Sequence, residues 1–471
     1  MDERNLLERL RNNETLSVRE QLKLTIQLSI PAIMAQISSI VMQYIDASMV
    51  GSLGANDSAS IGLVSSSTWL FGGLCSAASI GFTVQVAQRI GAGEDEEARN
   101  IVKQGLLSVL AFSGMLMLIG TLISAYLPVW LGGDSGIRAG ASQYFFVYAA
   151  FLPVMQLNHT AGGMIQCSGN MKLPSILHVL MCFLDVLFNM LLIFPSRDIT
   201  FLGNSFKMYG AGLGVMGAAL GTAFAEVVIL TVMLCYLLFG SPMLRIRKGE
   251  KLCFNPEELG RAVKISIPVG FEQVVMCGAQ IMSTKIVAPL GTVAIAANSF
   301  SVTAESLCYM PGYGIGSAAT TLIGQSIGAG RKDLTKRFGW LTTGLGMLIM
   351  TGSGILLYIF APFMIGLLSP DPEIRELGAA VLRIEAFAEP MYAASIVATG
   401  VFRGAGDTFI PSCINLFSMW CVRIPLGAIL APRFGLHGVW FAMCVELCVR
   451  GVLFLIRLSG KKWQKSARNK G

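Results

Sequence analysis

Charged side chains are scarce in this 471-residue sequence, because Asp, Glu, Lys and Arg make up only 13% of it while hydrophobic residues make up 54%. Soluble domains carry about 25% charged residues, so this composition argues against an ordinary soluble fold. Histidine is rare as well, with three in the chain, and none of the eleven cysteines stands in a CxxC pair. These shortages argue against a metal site or a disulfide framework. The sequence therefore predicts a protein that lies in a membrane.

Long apolar runs take the place of the missing charge, and twelve of them have the length to cross a bilayer. We number these predicted spans one to twelve along the chain. They cover residues 24–50, 60–88, 104–127, 141–167, 173–195, 212–239, 260–288, 294–325, 338–361, 377–402, 409–431 and 436–458. The predicted units are an N-terminal lobe 1–240 with a cytoplasmic lead-in 1–20, a cytoplasmic linker 241–259, and a C-terminal lobe 260–471 whose basic cytoplasmic tail is 460–471.

The two halves repeat each other at an offset of 237 positions. The segment Gln88–Gly93 returns as Gln325–Gly330, and over residues 29–93 the offset makes 16 of 65 positions identical. Each half holds six spans, an even number, so both halves enter the membrane in the same orientation. The predicted fold class is an all-α membrane protein with twelve transmembrane helices in two six-helix lobes. A pseudo-two-fold axis along the membrane normal relates the lobes, and the substrate path lies between them.

Lysine and arginine predict the orientation of the chain. With a cytoplasmic N-terminus, 26 of the 35 Lys and Arg residues fall in cytoplasmic segments, 5 fall on the outer side and 4 lie within spans. This asymmetry is a strong positive-inside signal, and it predicts that both termini are cytoplasmic. The net charge of +7 therefore reflects topology and anionic lipid headgroups. It gives no reason to expect a nucleic-acid partner.

Several glycines match motifs or repeat positions. Residues 212–217 match GxGxxG, but this stretch enters a membrane helix, so we interpret it as close helix packing and not as a dinucleotide site. The first lobe carries about 16 extra residues, which we assign to an outer loop at 197–209. Gly91 and Gly328 are expected to end span two and span eight in a left-handed cap.

Ionisable residues inside spans are costly, so each is a candidate for function. Asp46 lies one turn from Gln43 on span one, and Asp185 lies one turn from Asn189 on span five. A carboxylate among amides in a low-dielectric pocket binds either a cation or a proton, which makes Asp46 with Asp185 a candidate coupling site. Other charged residues receive structural interpretations: Arg383 pairs with Glu385 near the outer surface, and Arg450 pairs with Glu446 at i, i+4.

The sequence resembles the multidrug and toxic compound extrusion (MATE) transporters over essentially its whole length. The stretches that carry the likeness are 45–51 (IDASMVG), 88–93 with its repeat, 217–222 (GAALGT) and 403–408 (RGAGDT). The resemblance implies that Asp46 is the span-one cation-binding acid and that Thr222 is a nearby hydroxyl. Span five reads Asp185 then Asn189, the reverse of the order in many members of the family.

In the second lobe the resemblance implies a candidate coupling acid at Glu272, which lies about one turn earlier than in NorM-like members of the family. The span-ten acid of some members aligns with Tyr392. The remaining candidates are the residues of a substrate cavity between the lobes, for which we name Gln43, Gln280, Glu305 and Tyr392.

The predicted function is a secondary antiporter, driven by Na⁺ or H⁺, that exports organic, often cationic or amphipathic, compounds. The expected partners are a small organic substrate and membrane lipids, with no cofactor beyond the driving ion, and the chain is expected to be a monomer. One alternative is a flippase of lipid-linked precursors with a related fold, which would favour a more basic cavity. A membrane-embedded enzyme is the other alternative, but no nucleophile or metal constellation supports it.

Overall fold

A computed structural model describes residues 3–12, 14–201, 204–246, 250 and 253–464 of the chain. Its first lobe is a bundle of six membrane crossings. Spans one, two, three, five and six are the helices Val18–Gly51, Ala55–Gly91, Asp95–Ile123, Lys172–Leu192 and Gly214–Cys235. Span four is two helices, Ser135–Ala150 and Leu152–Cys167, and the short helix Leu127–Trp130 precedes it. The break in span four falls beside Pro153, which has no N–H to continue the helical hydrogen bonds.

The second lobe repeats this pattern. Spans seven, eight and nine are the helices Pro256–Val287, Thr292–Gly328 and Lys332–Leu368. Span ten is again two helices, Pro372–Glu385 and Glu389–Gly404, and its break lies beside Pro390, the repeat partner of Pro153. Spans eleven and twelve follow one another without a gap in the helix. The α-helix Phe409–Phe417 continues through the π-helical residues Ser418–Arg423 into the α-helix Ile424–Ser459, which bends at Gly435, where φ is 59°. Short 3₁₀ turns, Ala288–Leu290 and Lys462–Gln464, follow spans seven and twelve.

Within the described residues, eight helical stretches are long and apolar enough to cross a membrane. One of them, residues 409–459, has the length for two crossings. Span eight and the two broken spans, four and ten, bring the number of crossings to twelve. The predicted fold class, twelve helices in two lobes, is confirmed.

The segment between spans five and six departs from the all-helical prediction. Residues assigned to an outer loop form an antiparallel hairpin of β1, Pro195–Phe201, and β2, Asn204–Ala211. The hairpin is the only sheet among the described residues. Gly212 and Gly214, with φ of 65° and 55°, then turn the chain into span six. A two-stranded ribbon leaves the N–H and C=O groups of its outer edges without partners in the sheet, so it belongs outside the hydrocarbon region, where water can bond them.

The repeated Gln and Gly residues lie where the two lobes meet. Gln88 donates to the carbonyl of Gly404 (3.1 Å), and Gln325 donates to the carbonyl of Cys167 (2.8 Å). These two hydrogen bonds are related by the same offset of 237, so the pseudo-two-fold axis passes between them. Each bond joins one lobe to the other, which ties the lobes together at this end of the molecule. We call it the Gly91/Gly328 end.

Gly91 and Gly328 serve a different purpose from the predicted left-handed caps. Neither has positive φ; the positive values belong to Gly93 (75°) and Gly330 (73°). A Cβ on Gly91 would lie 2.2 Å from the carbonyl oxygen of Gln325, and one on Gly328 would lie 2.0 Å from that of Gln88. The left-handed prediction was therefore placed two residues too early. Gly91 and Gly328 are needed because two helices from different lobes touch there.

The lead-in forms a helix, Glu3–Arg11, that packs under both lobes. Its three leucines, Leu6, Leu7 and Leu10, are buried in a hydrophobic cluster shared with spans eight, nine, ten and twelve. Arg11 donates to the Ser168 carbonyl of the first lobe and to the Gln325 side chain of the second, both at 3.3 Å. The helix therefore adds a second connection between the lobes at the Gly91/Gly328 end.

The helix of span one begins at Val18, six residues before the predicted apolar run starts at residue 24. Ser17 and Glu20 form a complete capping box, in which the Glu20 N–H donates to the Ser17 hydroxyl and the Ser17 N–H donates to the Glu20 carboxylate.

The described part of the predicted linker 241–259 folds back onto span three. Glu250 pairs with Arg99 (2.7 Å) and Lys103 (3.0 Å) there. Burial acts to raise the pKa of Glu250, but hydrogen bonds from Lys103 and Arg99 outweigh it and leave the pKa below its ordinary value.

Candidate functional site

Three polar residues predicted from spans one and five come together inside the first lobe. Asn189 donates one amide hydrogen bond to Asp46 (2.9 Å) and another to Asp185 (3.0 Å). Asp185 and Asn189 are fully buried, and Asp46 is partly exposed. One amide therefore holds two carboxylates from neighbouring spans together; helical spacing predicted the contact of Asn189 with Asp185 on its own helix.

This cluster has more acceptor oxygens than donors. The second oxygen of Asp185 and the amide oxygen of Asn189 are buried and have no hydrogen-bond partner among the described residues. A buried oxygen without a partner costs free energy, and two neighbouring carboxylates increase that cost. A cation or a proton is the species that such a set of oxygens accepts. These oxygen ligands therefore fit a hard cation or a shared proton.

Span six approaches the cluster through glycine. A Cβ on Gly221 would lie 2.0 Å from the amide oxygen of Asn189, and one on Gly217 would lie 2.4 Å from the carbonyl oxygen of Leu192. The contact at Gly217 agrees with the close-packing interpretation of residues 212–217, whereas Gly212 and Gly214 of that stretch form a turn with positive φ. Thr222 is half-buried, and its hydroxyl bonds to the Ala218 carbonyl of its own helix (3.3 Å). Thr222 therefore lies beside the cluster without a hydrogen bond to either acid.

The first lobe holds a further acid, Glu226 on span six, which is half-buried. It accepts a hydrogen bond from the Asn158 amide on span four. The charge of Asp185 acts on Glu226, so the two acids belong to one polar region. The amide oxygen of Asn158 is also buried without a partner. Helical spacing could not connect Glu226 with Asp185, because they lie 41 positions apart on different helices.

Comparison with known proteins gives the family. A family model described as MatE matches residues 31–191 and 268–429, which is more than half of the chain. The two matched segments begin 237 positions apart, the offset of the repeat. The chain belongs to the MATE family of transporters. It is therefore a multi-pass membrane protein of a transporter family, in agreement with the resemblance seen in the sequence.

Similar sequences and structures cover nearly the whole chain. A probable multidrug resistance protein NorM of Thermotoga maritima is 26% identical over 97% of this chain and 96% of its own length. One of Streptococcus pneumoniae is 23% identical over 97% and 99%. A MOP superfamily transporter of Pyrococcus furiosus has 19% identity and a TM-score of 0.85, covering 93% of this chain and 96% of that one. A mutant MATE transporter of Vibrio cholerae has 17% identity and a TM-score of 0.83, covering 98% and 99%. These structural matches show the MATE fold.

In the second lobe of this MATE chain, each carboxylate oxygen of Glu272 accepts a hydrogen bond. Its two carboxylate oxygens accept from the Ser412 hydroxyl (2.6 Å) and the Asn415 amide (2.7 Å) of span eleven. The side chain is half-buried between spans seven and eleven. This arrangement differs from that of Asp185, whose second oxygen has no partner. Glu272 stays a predicted coupling residue, in a site already satisfied by hydrogen bonds.

Acids that the sequence treated separately gather elsewhere in this lobe. Glu385 and Glu389 on span ten are fully buried, and none of their four carboxylate oxygens has a hydrogen-bond partner among the described residues. Glu305 on span eight is 4% exposed and lies within the fields of Arg423 and Arg450. The region therefore holds several carboxylates around two arginines. The sequence shows that spans eight, ten and twelve contain several acids. Only the structure shows that these acids lie near one another.

The predicted pairing of Arg383 with Glu385 is wrong. Arg383 donates to the Tyr358 carbonyl (3.2 Å) and stacks over the Tyr358 ring at 5.5 Å. Glu385 lies two residues further along the helix, which turns its carboxylate toward the buried side of span ten. The pairing of Arg450 with Glu446 is confirmed: two guanidinium nitrogens reach the two carboxylate oxygens at 2.7 and 2.8 Å.

The four predicted cavity residues have different surroundings. Gln43 and Gln280 are exposed at repeat-related positions of spans one and seven. Tyr392 packs edge-on against Tyr309 at 5.5 Å, and the Arg450 guanidinium lies 5.8 Å from its ring centre. Glu305 belongs to the buried acid region on the same side of the second lobe. Aromatic rings near buried acids suit an organic cation, which both groups attract.

Breaking the Arg450–Glu446 pair is expected to destabilise the second lobe strongly. Arg450→Met leaves the Glu446 carboxylate buried without its partner, at a cost of about 3–5 kcal/mol. The double variant Arg450→Met/Glu446→Gln removes both charges and should recover most of that loss. Thermal unfolding in detergent measures both. Equal losses in the single and double variants would contradict the pairing.

Proposed function

We propose that this chain is a secondary antiporter that exports organic, often cationic or amphipathic, compounds and is driven by Na⁺ or H⁺. The observation that carries the proposal is the first-lobe cluster of Asp46, Asp185 and Asn189, with its buried acceptor oxygens. The names of the similar NorM proteins support multidrug compounds as the substrate class. The acids and tyrosines of the second lobe support a preference for cations.

In the proposed cycle, the driving ion neutralises the first-lobe cluster. Two ionised carboxylates held by one amide repel each other, and a bound Na⁺ or proton removes that repulsion. Spans one, five and six then repack around Asn189, against which Gly221 is already closely packed. Repacking of these spans changes the shape of the path between the lobes. Release of the ion on the other side reverses the change, which couples ion entry to substrate export.

Transport in proteoliposomes tests the proposal. Purified protein is reconstituted, loaded with a fluorescent organic cation, and given an imposed Na⁺ gradient and, separately, a pH gradient. We expect one gradient to drive substrate movement well above that of protein-free liposomes. Movement of equal rate with no gradient would contradict antiport and indicate a uniporter. The choice between the two gradients identifies the ion.

We further propose that the chain lies in the plasma membrane with both termini in the cytoplasm and the β-hairpin outside. Cysteines introduced into a cysteine-depleted background test this with an impermeant thiol reagent on whole cells. Position 204, at the start of β2, should be labelled from outside. Position 248 should be protected, although it lies outside the described residues. Position 96, exposed in the first turn of the helix Asp95–Ile123, gives a second protected site, and its labelling in intact cells would overturn the orientation.

A further inference from the structure

A groove opens at the Gly91/Gly328 end between the starts of spans one and nine, with a volume of about 710 Å³. Val18 and Gln21 of span one form one wall. The other wall belongs to span nine and consists of Lys332, Asp333, Lys336, Arg337, Trp340 and Leu341. The two walls belong to different lobes. A molecule bound in the groove would therefore contact both lobes at once.

The groove has an excess of positive charge. Lys332, Lys336 and Arg337 form no ion pair with any carboxylate among the described residues. The one acid of the groove, Asp333, is held by Arg331, which donates to both of its oxygens at 3.0 and 3.1 Å. Three cations are therefore free to bind an anion, and no acid of the groove competes for them.

The position of the groove fits a lipid better than a soluble anion. Its cations stand in the first turns of span nine, where a membrane helix meets the headgroup region. Trp340, 41% exposed, follows one turn after Arg337, and tryptophan is enriched at this depth of a bilayer. Leu341 continues the wall toward the hydrocarbon side. A ligand with an anionic head and apolar chains matches this sequence of side chains along the helix.

A buried acceptor adds a specific feature. The Gln21 side chain is fully buried, and its amide donates to the Leu16 carbonyl (2.8 Å). Its amide oxygen has no hydrogen-bond partner among the described residues. An unpartnered amide oxygen accepts from a hydroxyl group, so a headgroup that carries hydroxyls satisfies it.

We propose that this groove binds an anionic phospholipid with a hydroxylated headgroup, of the phosphatidylglycerol class, whose phosphate contacts Lys332, Lys336 and Arg337. Because the two walls come from different lobes, the bound lipid favours the arrangement in which the Gly91/Gly328 end is closed. A ligand that binds one of two conformations better than the other shifts the protein toward it. The lipid therefore acts on the transport cycle from a place away from the substrate path.

Thermal unfolding of the full-length protein in a neutral detergent tests this proposal. Dihexanoyl phosphatidylglycerol is titrated, with dihexanoyl phosphatidylcholine and inorganic phosphate as separate arms. The groove variant is Lys332→Gln/Lys336→Gln/Arg337→Gln. The matched control is Arg19→Gln/Lys461→Gln/Lys462→Gln, which removes the same charge from exposed positions that do not line the groove.

We expect phosphatidylglycerol to raise the unfolding temperature of the wild type and the control, and phosphatidylcholine to have little effect. The groove variant should bind phosphatidylglycerol about 100-fold more weakly, since each cation near the membrane surface contributes to binding. Should the triple variant not fold, Lys336→Gln alone should still weaken binding relative to Arg19→Gln. If phosphatidylglycerol raised the unfolding temperatures of the groove variant and the control equally, the groove would not be the binding site. If inorganic phosphate raised the unfolding temperature as much as phosphatidylglycerol does, the ligand would be a soluble anion and not a lipid.

Discussion

Asp46→Asn is expected to fold normally and to lose gradient-driven transport. Asparagine has nearly the shape of aspartate, and its amide oxygen can still accept the hydrogen bond that Asn189 donates at 2.9 Å. The variant carries no charge at this position, so neither a cation nor a proton changes its state. Under the proposed mechanism, efflux driven by the imposed ion gradient should fall at least about tenfold, because the free energy of neutralising a buried carboxylate is several kcal/mol.

Substrate binding and transport should be measured on the same purified protein. Binding of the fluorescent cation should persist in Asp46→Asn, because the acids and tyrosines proposed to attract the cation lie in the second lobe. Asp57→Asn is the matched control, since Asp57 lies in the same lobe at the start of span two and outside the cluster. Near wild-type, gradient-dependent efflux by Asp46→Asn would make Asp46 a packing residue and direct the search to Glu272.

The second large effect is expected at the junction of the repeat. In Gly91→Ala and Gly328→Ala, the new methyl group would lie within 2.2 Å of a backbone carbonyl oxygen from the other lobe. A backbone oxygen cannot rotate away like a side chain, so spans two and eight must separate. The separation strains the bonds from Gln88 and Gln325 as well. Each variant should lose about 1–3 kcal/mol of stability, and valine should cost more.

Two other glycines provide the control for this prediction. Gly114→Ala and Gly344→Ala place a methyl group in open space at positions with ordinary helical backbone, and alanine favours the helix by about 1 kcal/mol. Their unfolding temperatures should equal or exceed that of the wild type. The two junction variants should show losses of similar size, because the contacts are related by the repeat. A wild-type unfolding temperature in Gly91→Ala would show that the lobes do not touch there.

The arrangement of the second-lobe acids shows where sequence reasoning ends. Helical spacing predicted that Arg450 reaches Glu446, because both lie on one helix four residues apart. The same reasoning failed for Arg383 and Glu385, since two residues along a helix point in different directions. Nothing in the sequence indicated that Glu385 and Glu389 would approach Glu305, which lies 80 and 84 positions away on another span. Contacts between helices depend on how the helices pack, and local spacing does not report packing.

The sequence by itself determined the membrane location, the twelve crossings and the two-lobe symmetry. Those features follow from hydropathy and from a repeat of constant offset, which act along the chain. It also predicted that Asp46 shares a helix face with Gln43, and that Asp185 shares one with Asn189. Tertiary structure alone decided that Asn189 joins the two acids and that the repeated glutamines link the lobes. It also replaced the expected outer loop with a hairpin, since backbone groups find their partners only once the chain is folded.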